Sequence, residues 1–519
     1  MVNRKFLPMA TLLFMGLQLL FSCSSPSLHS GNDSKGQEVW PPDLPTANKN
    51  GVATLNTVDF LKVPTAVQNI LDSNSDTKLT VASTVPIIEI AYHNQLPIAA
   101  VDSGGALWSS WGDICLASDG KVYSGTGNHW GIDKGEAYIY CWDPSTKEFK
   151  KIADLNKITG AKPDEVHFSK VHASIIEGRD KKIYFTGTLD DGDKGGSKPI
   201  LDKWDTNIAG GKLFQYDPAS GKTIVYADFP PTLVTATIKY DPKRNILYCE
   251  LEGNQDGVAF GAFDMDKKEW IYQSAPGIIS HHRNLMLDKQ GNIYFNGHQE
   301  ILTPAELQAR QSKKNNGTTS MLPADQADRI NKLPLTEVWK YDPSTNSVAA
   351  TKSHTLGGFR SSTRESKAGY IYGTTMAGEL FRYSPAKDEL TILGSNFLAK
   401  GEYITVCDLS PDEKYMYYLP GAHGSAGFSG TPVIQYDITT RQQKALAFLS
   451  EPMTKAFNYS PGGTYGVKIS NDGSTLYVGL NGSPSDSSLS TPKGIRQEKG
   501  FGLTSLACIY IPAQERSGK

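Results

Sequence analysis

The chain lacks an excess of either charge: Lys plus Arg number 52 and Asp plus Glu 54, for a formal charge of −2. Nothing in that balance points to a nucleic-acid partner. Long runs of Lys or Arg, which would suit an anionic membrane surface, are also missing. The marked apolar run at the start, Phe6 to Phe21, is too short for a comfortable transmembrane helix. Cysteine is scarce, at six residues, and no CxxC spacing suggests a metal framework. Histidine is scarce too, at ten in 519 residues, so where those ten fall carries information. The rest of the composition, 39% hydrophobic and 20% charged, is that of an ordinary globular protein.

What is present begins with Asn3-Arg4-Lys5, the apolar run, and then Leu20-Phe21-Ser22-Cys23. This resembles a bacterial lipoprotein signal (residues 1–22), with cleavage before Cys23 leaving a lipidated N-terminal cysteine. The resemblance implies a cell-envelope lipoprotein, in the outer membrane or periplasm of a Gram-negative bacterium, meeting the membrane only through its lipid. The alternative is a plain secretory signal and a secreted protein. Residues 23–50 are rich in Ser, Gly, Asn and Pro and read as a flexible tether. Residues 51–84 form an extension with one short helical pattern, "TAVQNILDS". Cys115, Cys141, Cys249, Cys407 and Cys508 are odd in number and set in apolar runs, which predicts buried free thiols.

From about residue 85 the chain is repetitive. "AYIYCWDPSTKEFKKI", "KLFQYDPASGKTIVY", "AFGAFDMDKKEWIY", "EVWKYDPSTNSVAAT", "ELFRYSPAKDELTIL" and "PVIQYDITTRQQKAL" each join two apolar runs through a turn. A second hairpin precedes each one, and Val122, Ile183, Leu247, Ile293, Ile371, Met416 and Leu476 mark equivalent points in it. Two hairpins per repeat make four antiparallel strands, A to D, and seven repeats predict an all-β, seven-bladed β-propeller over residues 85–519. The last repeat stops short of a strand D, so Val85 to Asn94 is expected to complete that blade. Trp142 and Trp339 fall inside hairpin strands and read as packing residues.

Strand A lines a propeller's channel. Eleven residues before the anchors stand Trp111, His172, Ala236, His282, Arg360, Thr405 and Tyr465. A purely structural channel favours small or apolar residues there, whereas five of these are groups that carry binding and catalysis. The ends of strand B add His129, His298 and His423 to the same face, and the B–C connections of repeats 2, 4 and 7 are long. Trp108, Trp111 and Trp130 suit stacking on sugar rings. Arg360, Arg364 and Arg283 suit a carboxylate or sulfate, which guanidinium meets bidentately. Histidine neutralises an anion when charged and accepts a proton when neutral. This set meets the needs of β-elimination on a uronic acid. Asp190, Asp191 and Asp193 lack the spacing of a defined Ca²⁺ loop and read as a solvated turn.

The runs "WSSWGDICLASDGKVYSGTGNHWG", "KVHASIIEGRDKKIYFTGT", "ISHHRNLMLDKQGNIYFNGH" and "RESKAGYIYGTTMAGELFRYSP" resemble the seven-bladed propeller polysaccharide lyases of the ulvan and oligogalacturonate lyase type. The resemblance implies cleavage of an anionic, uronate-containing polysaccharide by β-elimination at the propeller mouth; the chain is expected to act as a monomer. It places His172, His282 and Arg360, with His129, in the active site and leaves Tyr240 and Tyr465 both open as the catalytic tyrosine. It also leaves open a divalent metal (Ca, Mn or Zn) beside His298 and Gln299. Two rival readings remain: a propeller that binds glycan or protein without catalysis, and a propeller hydrolase. The channel-start positions carry no Asp or Glu, which argues against the close carboxylate pair of glycosidases.

Overall fold

Apolar alternation broken by Asp-led turns fixes the strand register. The Asp143, Asp264, Asp342 and Asp437 carboxylates each accept backbone N–H groups two residues on, at 2.8 to 3.0 Å. The turns then close through residues at positive φ, Lys147 (51°), Lys268 (58°), Asn346 (52°) and Arg441 (59°). The computed structural model describes residues 39–73, 79–93, 96–97, 109–128, 135–162, 167–189, 211–229, 234–254, 257–274, 279, 285–297, 337–355, 358–396, 398, 404–421, 425–484 and 500–516. Their strands pair into seven antiparallel blades, in residues 115–154, 176–228, 234–273, 286–354, 359–395, 407–448 and 459–510. The fold is thus the seven-bladed β-propeller that the repeats predict.

The seventh blade takes its outer strand from the N-terminal side. Ile87–Tyr92 pairs antiparallel with Leu503–Tyr510, Ile90 opposite Ala507, in the place expected for Val85 to Asn94. Blades 7 and 1 are joined by reciprocal bonds, Ser110 N–H to Asn481 Oδ1 (2.8 Å) and Asn481 Nδ2 to the Ser110 carbonyl (2.9 Å). The extension contributes more than its helix, Thr65–Ser73. Ala53–Leu55 adds a fifth strand to blade 7, and Leu79–Val81 adds a parallel one to blade 6, covering two open sheet edges.

Between blades the core is largely aromatic. Phe260, Tyr248, Phe295 and Tyr341 pack between blades 3 and 4. Trp142 and Trp339 are buried in their blades. The five described cysteines are free and buried, and burial pushes the Cys141 and Cys407 thiols up to about 11. No helix among the described residues is long and apolar enough to cross a membrane.

Candidate functional site

The channel-start positions coincide with β-bulges wherever strand A is paired along its length. The register slips between Thr235 and Thr237, between Phe359 and Ser361, and between Thr464 and Gly466. Ala236, Arg360 and Tyr465 are therefore the extra residues of three bulges, a device that re-aims a side chain. In blade 1, Ser109 bridges Gly127 and the Ser110 hydroxyl donates to the Gly125 carbonyl at 2.6 Å. In blade 2, Val171 and Ala173 are buried on either side of half-buried His172.

These strands bring four of the predicted residues together. The rings of Trp111 and Tyr465 lie 4.7 Å apart at 44°, and His172 stacks on Trp111 at 6.2 Å and 7°. The Arg360 guanidinium sits 5.8 Å from the centre of the Tyr465 ring. Phe501 is nearly parallel to Trp111 at 5.8 Å, and the Lys170 ammonium stands 4.5 Å over that indole. The Trp111 indole N–H donates to the Ser109 hydroxyl. Trp111 and His172 are half-buried, whereas Arg360 is 4% exposed and Tyr465 2%.

Below this ring cluster a charged layer crosses the bore. Lys468 pairs with Asp113, and Asp408 accepts the Ile469 N–H at 3.0 Å. Lys239 reaches from blade 3 to the Ser362 carbonyl of blade 5, at 3.2 Å. Burial pushes the Lys239 ammonium down, aided by the charge of Lys468. Burial also works against the Lys468 charge, but Asp113 and Asp408 more than offset it and its pKa rises. Burial raises the Asp408 carboxyl, against the pull of Lys468.

Two predicted residues lie elsewhere. Tyr240 is at the far end of Val234–Asp241, beside the A–B turn, where its hydroxyl accepts the Arg179 N–H (2.9 Å) and donates to Asn245 Oδ1 (2.7 Å). Arg364 is at the equivalent end of Phe359–Glu365, paired with Glu413 at 2.6 Å and bonded to the Ser410 carbonyl. Both belong to the opposite face, because strand A runs from the mouth to that turn. Cys23, Trp108, His129, Trp130, His282, Arg283, His298, Gln299 and His423 lie outside the described residues. Among the described residues no three His, Cys, Asp or Glu are grouped to hold a metal ion.

The sequence reading missed Lys170, Phe501 and the charged layer. Lys170 stands two residues before His172 and so shares its side of the chain, a signal that was there to read. Lys239, Asp408 and Lys468 each fall three residues after a channel-start position, and for Lys239 and Lys468 the bulge before them makes that odd offset point inward.

No family model matches this chain, and no curated protein matches it. Solved structures do resemble it, in 1507 chains. One is titled "Structure of U3-55K", with 11% identity and a TM-score of 0.42, covering 78% of this chain and 95% of that chain. That degree of likeness carries no argument about activity, and the seven-bladed propeller rests on this chain's own strand pairing.

Proposed function

We propose that the ring cluster binds a uronate-containing polysaccharide and cleaves it by β-elimination. The observation that carries this reading is the meeting of Trp111, His172, Arg360 and Tyr465, from four different blades, at one end of the bore. Arg360 and Lys170 supply fixed positive charge for the carboxylate, which makes the adjacent ring proton more acidic. Tyr465 or His172 takes that proton, the glycosidic C–O bond breaks, a double bond forms in the ring, and the departing oxygen receives a proton. Trp111 offers an apolar face for a sugar ring.

The test is incubation with ulvan, pectin, alginate and glycosaminoglycans while recording the ultraviolet absorbance of the unsaturated uronate product. Absorbance on one of them supports the reading, and none on any of them overturns it. A glycan-binding propeller without catalysis is the second reading. The burial of Arg360 and Tyr465 favours it, because groups 4% and 2% exposed contact a ligand only after local rearrangement. A hydrolase is disfavoured because Asp113, the described carboxylate nearest the cluster in sequence, is already engaged by Lys468.

A further inference from the structure

We propose that Asp113 and Lys468 are positioning residues for the ring cluster: they hold the strand bearing Trp111 against the strand bearing Tyr465. The proposal rests on the reading of that cluster as the functional site. Asp113 follows Trp111 by two residues, and Lys468 follows Tyr465 by three. One oxygen of Asp113 accepts from the Lys468 ammonium and the other from the Val467 N–H at 3.3 Å. Between these points the two strands meet at backbone distance. A Cβ on Gly466 would lie 2.7 Å from Ile114 Cγ2 and 3.0 Å from the Ile114 nitrogen, so only a glycine at 466 lets the strands approach this closely. The Trp111 and Tyr465 rings touch immediately beside it.

The same aspartate reaches the third member of the cluster. Its carbonyl accepts the Ile175 N–H at 3.0 Å, three residues from His172, so the strands of blades 1, 2 and 7 are referenced to one residue. Tyr465 is a bulge residue, and a bulge leaves the ladder locally unpaired. The Thr464 hydroxyl ties the bulge within its own blade, donating to the Gly479 carbonyl at 2.6 Å and accepting the Gly466 N–H at 3.1 Å, and Asp113 ties the following residues to blade 1. The charged groups facing the pair are Lys239 and Asp408, and neither bonds to the Trp111 strand in the described contacts. Removing Asp113 leaves Lys468 facing Asp408 alone, and removing Lys468 takes away the ion pair of Asp113.

The test compares Asp113→Asn, Lys468→Met and Lys468→Arg in the full chain. One readout is the fluorescence of each protein minus that of its Trp111→Phe counterpart, which reports the surroundings of Trp111 whether or not any polysaccharide is cleaved. The other is kcat and KM on the substrate that the panel identifies. Asp113→Asn and Lys468→Met are expected to shift the Trp111 difference spectrum and lower kcat roughly hundredfold, the usual scale for a misplacement of about 1 Å, with KM changed far less. Lys468→Arg is expected to restore both. An unchanged spectrum in folded Asp113→Asn overturns the proposal, as does a loss in Lys468→Met that Lys468→Arg does not repair. If Lys468→Met fails to fold, Asp113→Asn decides, since it keeps the shape that accepts the Val467 N–H. If wild type cleaves nothing, the functional reading fails while the spectrum still decides the positioning.

Discussion

Changing His93 to glutamine should expose a pH dependence of stability that the parent protein hides. His93 is 2% exposed, with Nε2 2.8 Å from the Ser124 hydroxyl and its ring edge-on to Tyr140 at 5.2 Å. Burial pushes its pKa down to about 4 from the ordinary 6.5, against an opposing bond with Thr504. Glu136, which acts electrostatically on the same Tyr140, is pushed up to about 7 from 4.5, first by burial and then by Asp154. The stability His93 contributes is present above pH 6.5 and lost as pH falls through 4. That of Glu136 is present below 4.5 and lost as pH rises through 7. At about 1.4 kcal/mol per pH unit of displacement, each changes stability by about 2 kcal/mol between pH 4.5 and 6.5, in opposite directions. The two contributions oppose one another in the parent across this range. Urea unfolding across that range, at fixed ionic strength, should show His93→Gln losing stability relative to the parent as pH rises and Glu136→Gln gaining it. Parallel curves for parent and both variants would refute the reasoning.

Other perturbations separate the mouth from the scaffold. The Glu515 carboxylate, 4% exposed, accepts the Ser83 and Thr84 N–H groups, the Ser83 hydroxyl and the Lys444 ammonium. It thereby ties the N-terminal extension to blade 6, so Glu515→Ala should cost about 3–5 kcal/mol in urea unfolding. Arg364→Ala removes a half-exposed ion pair on the opposite face and should cost less than about 1 kcal/mol with turnover unchanged. Tyr240→Phe loses bonds to Arg179 and Asn245, worth about 1 kcal/mol, and should also leave turnover intact. Tyr465→Phe should lower kcat by about 10²–10⁴-fold without unfolding the protein, as measured by product absorbance beside circular dichroism.

The blades were legible because the Asp-led turns fix register and the anchors recur, and the same count located Trp111, His172, Arg360 and Tyr465 at one level. The two residues at the opposite face were also legible in principle. Tyr240 and Arg364 each stand seven residues before their anchors, where strand A has already reached the turn, against eleven for the mouth positions. The bulges at Ala236, Arg360 and Tyr465 leave no signature in residue type, so the inward turn of Lys239 and Lys468 needed backbone pairing to be seen. Ala53–Leu55 and Leu79–Val81 are too short for alternation to mark them as strands, and only the edges they cover explain them.

The claim that the mouth performs elimination is tested most directly by digesting a short uronate oligosaccharide in ordinary water and weighing the products. Elimination adds no water across the glycosidic bond, so the account predicts that the masses of each fragment pair sum to that of the parent, with one fragment lighter than its hydrolytic counterpart by one water and carrying the ring double bond. Fragment pairs that together exceed the parent by one water, or no fragments from any uronate polysaccharide, would contradict it.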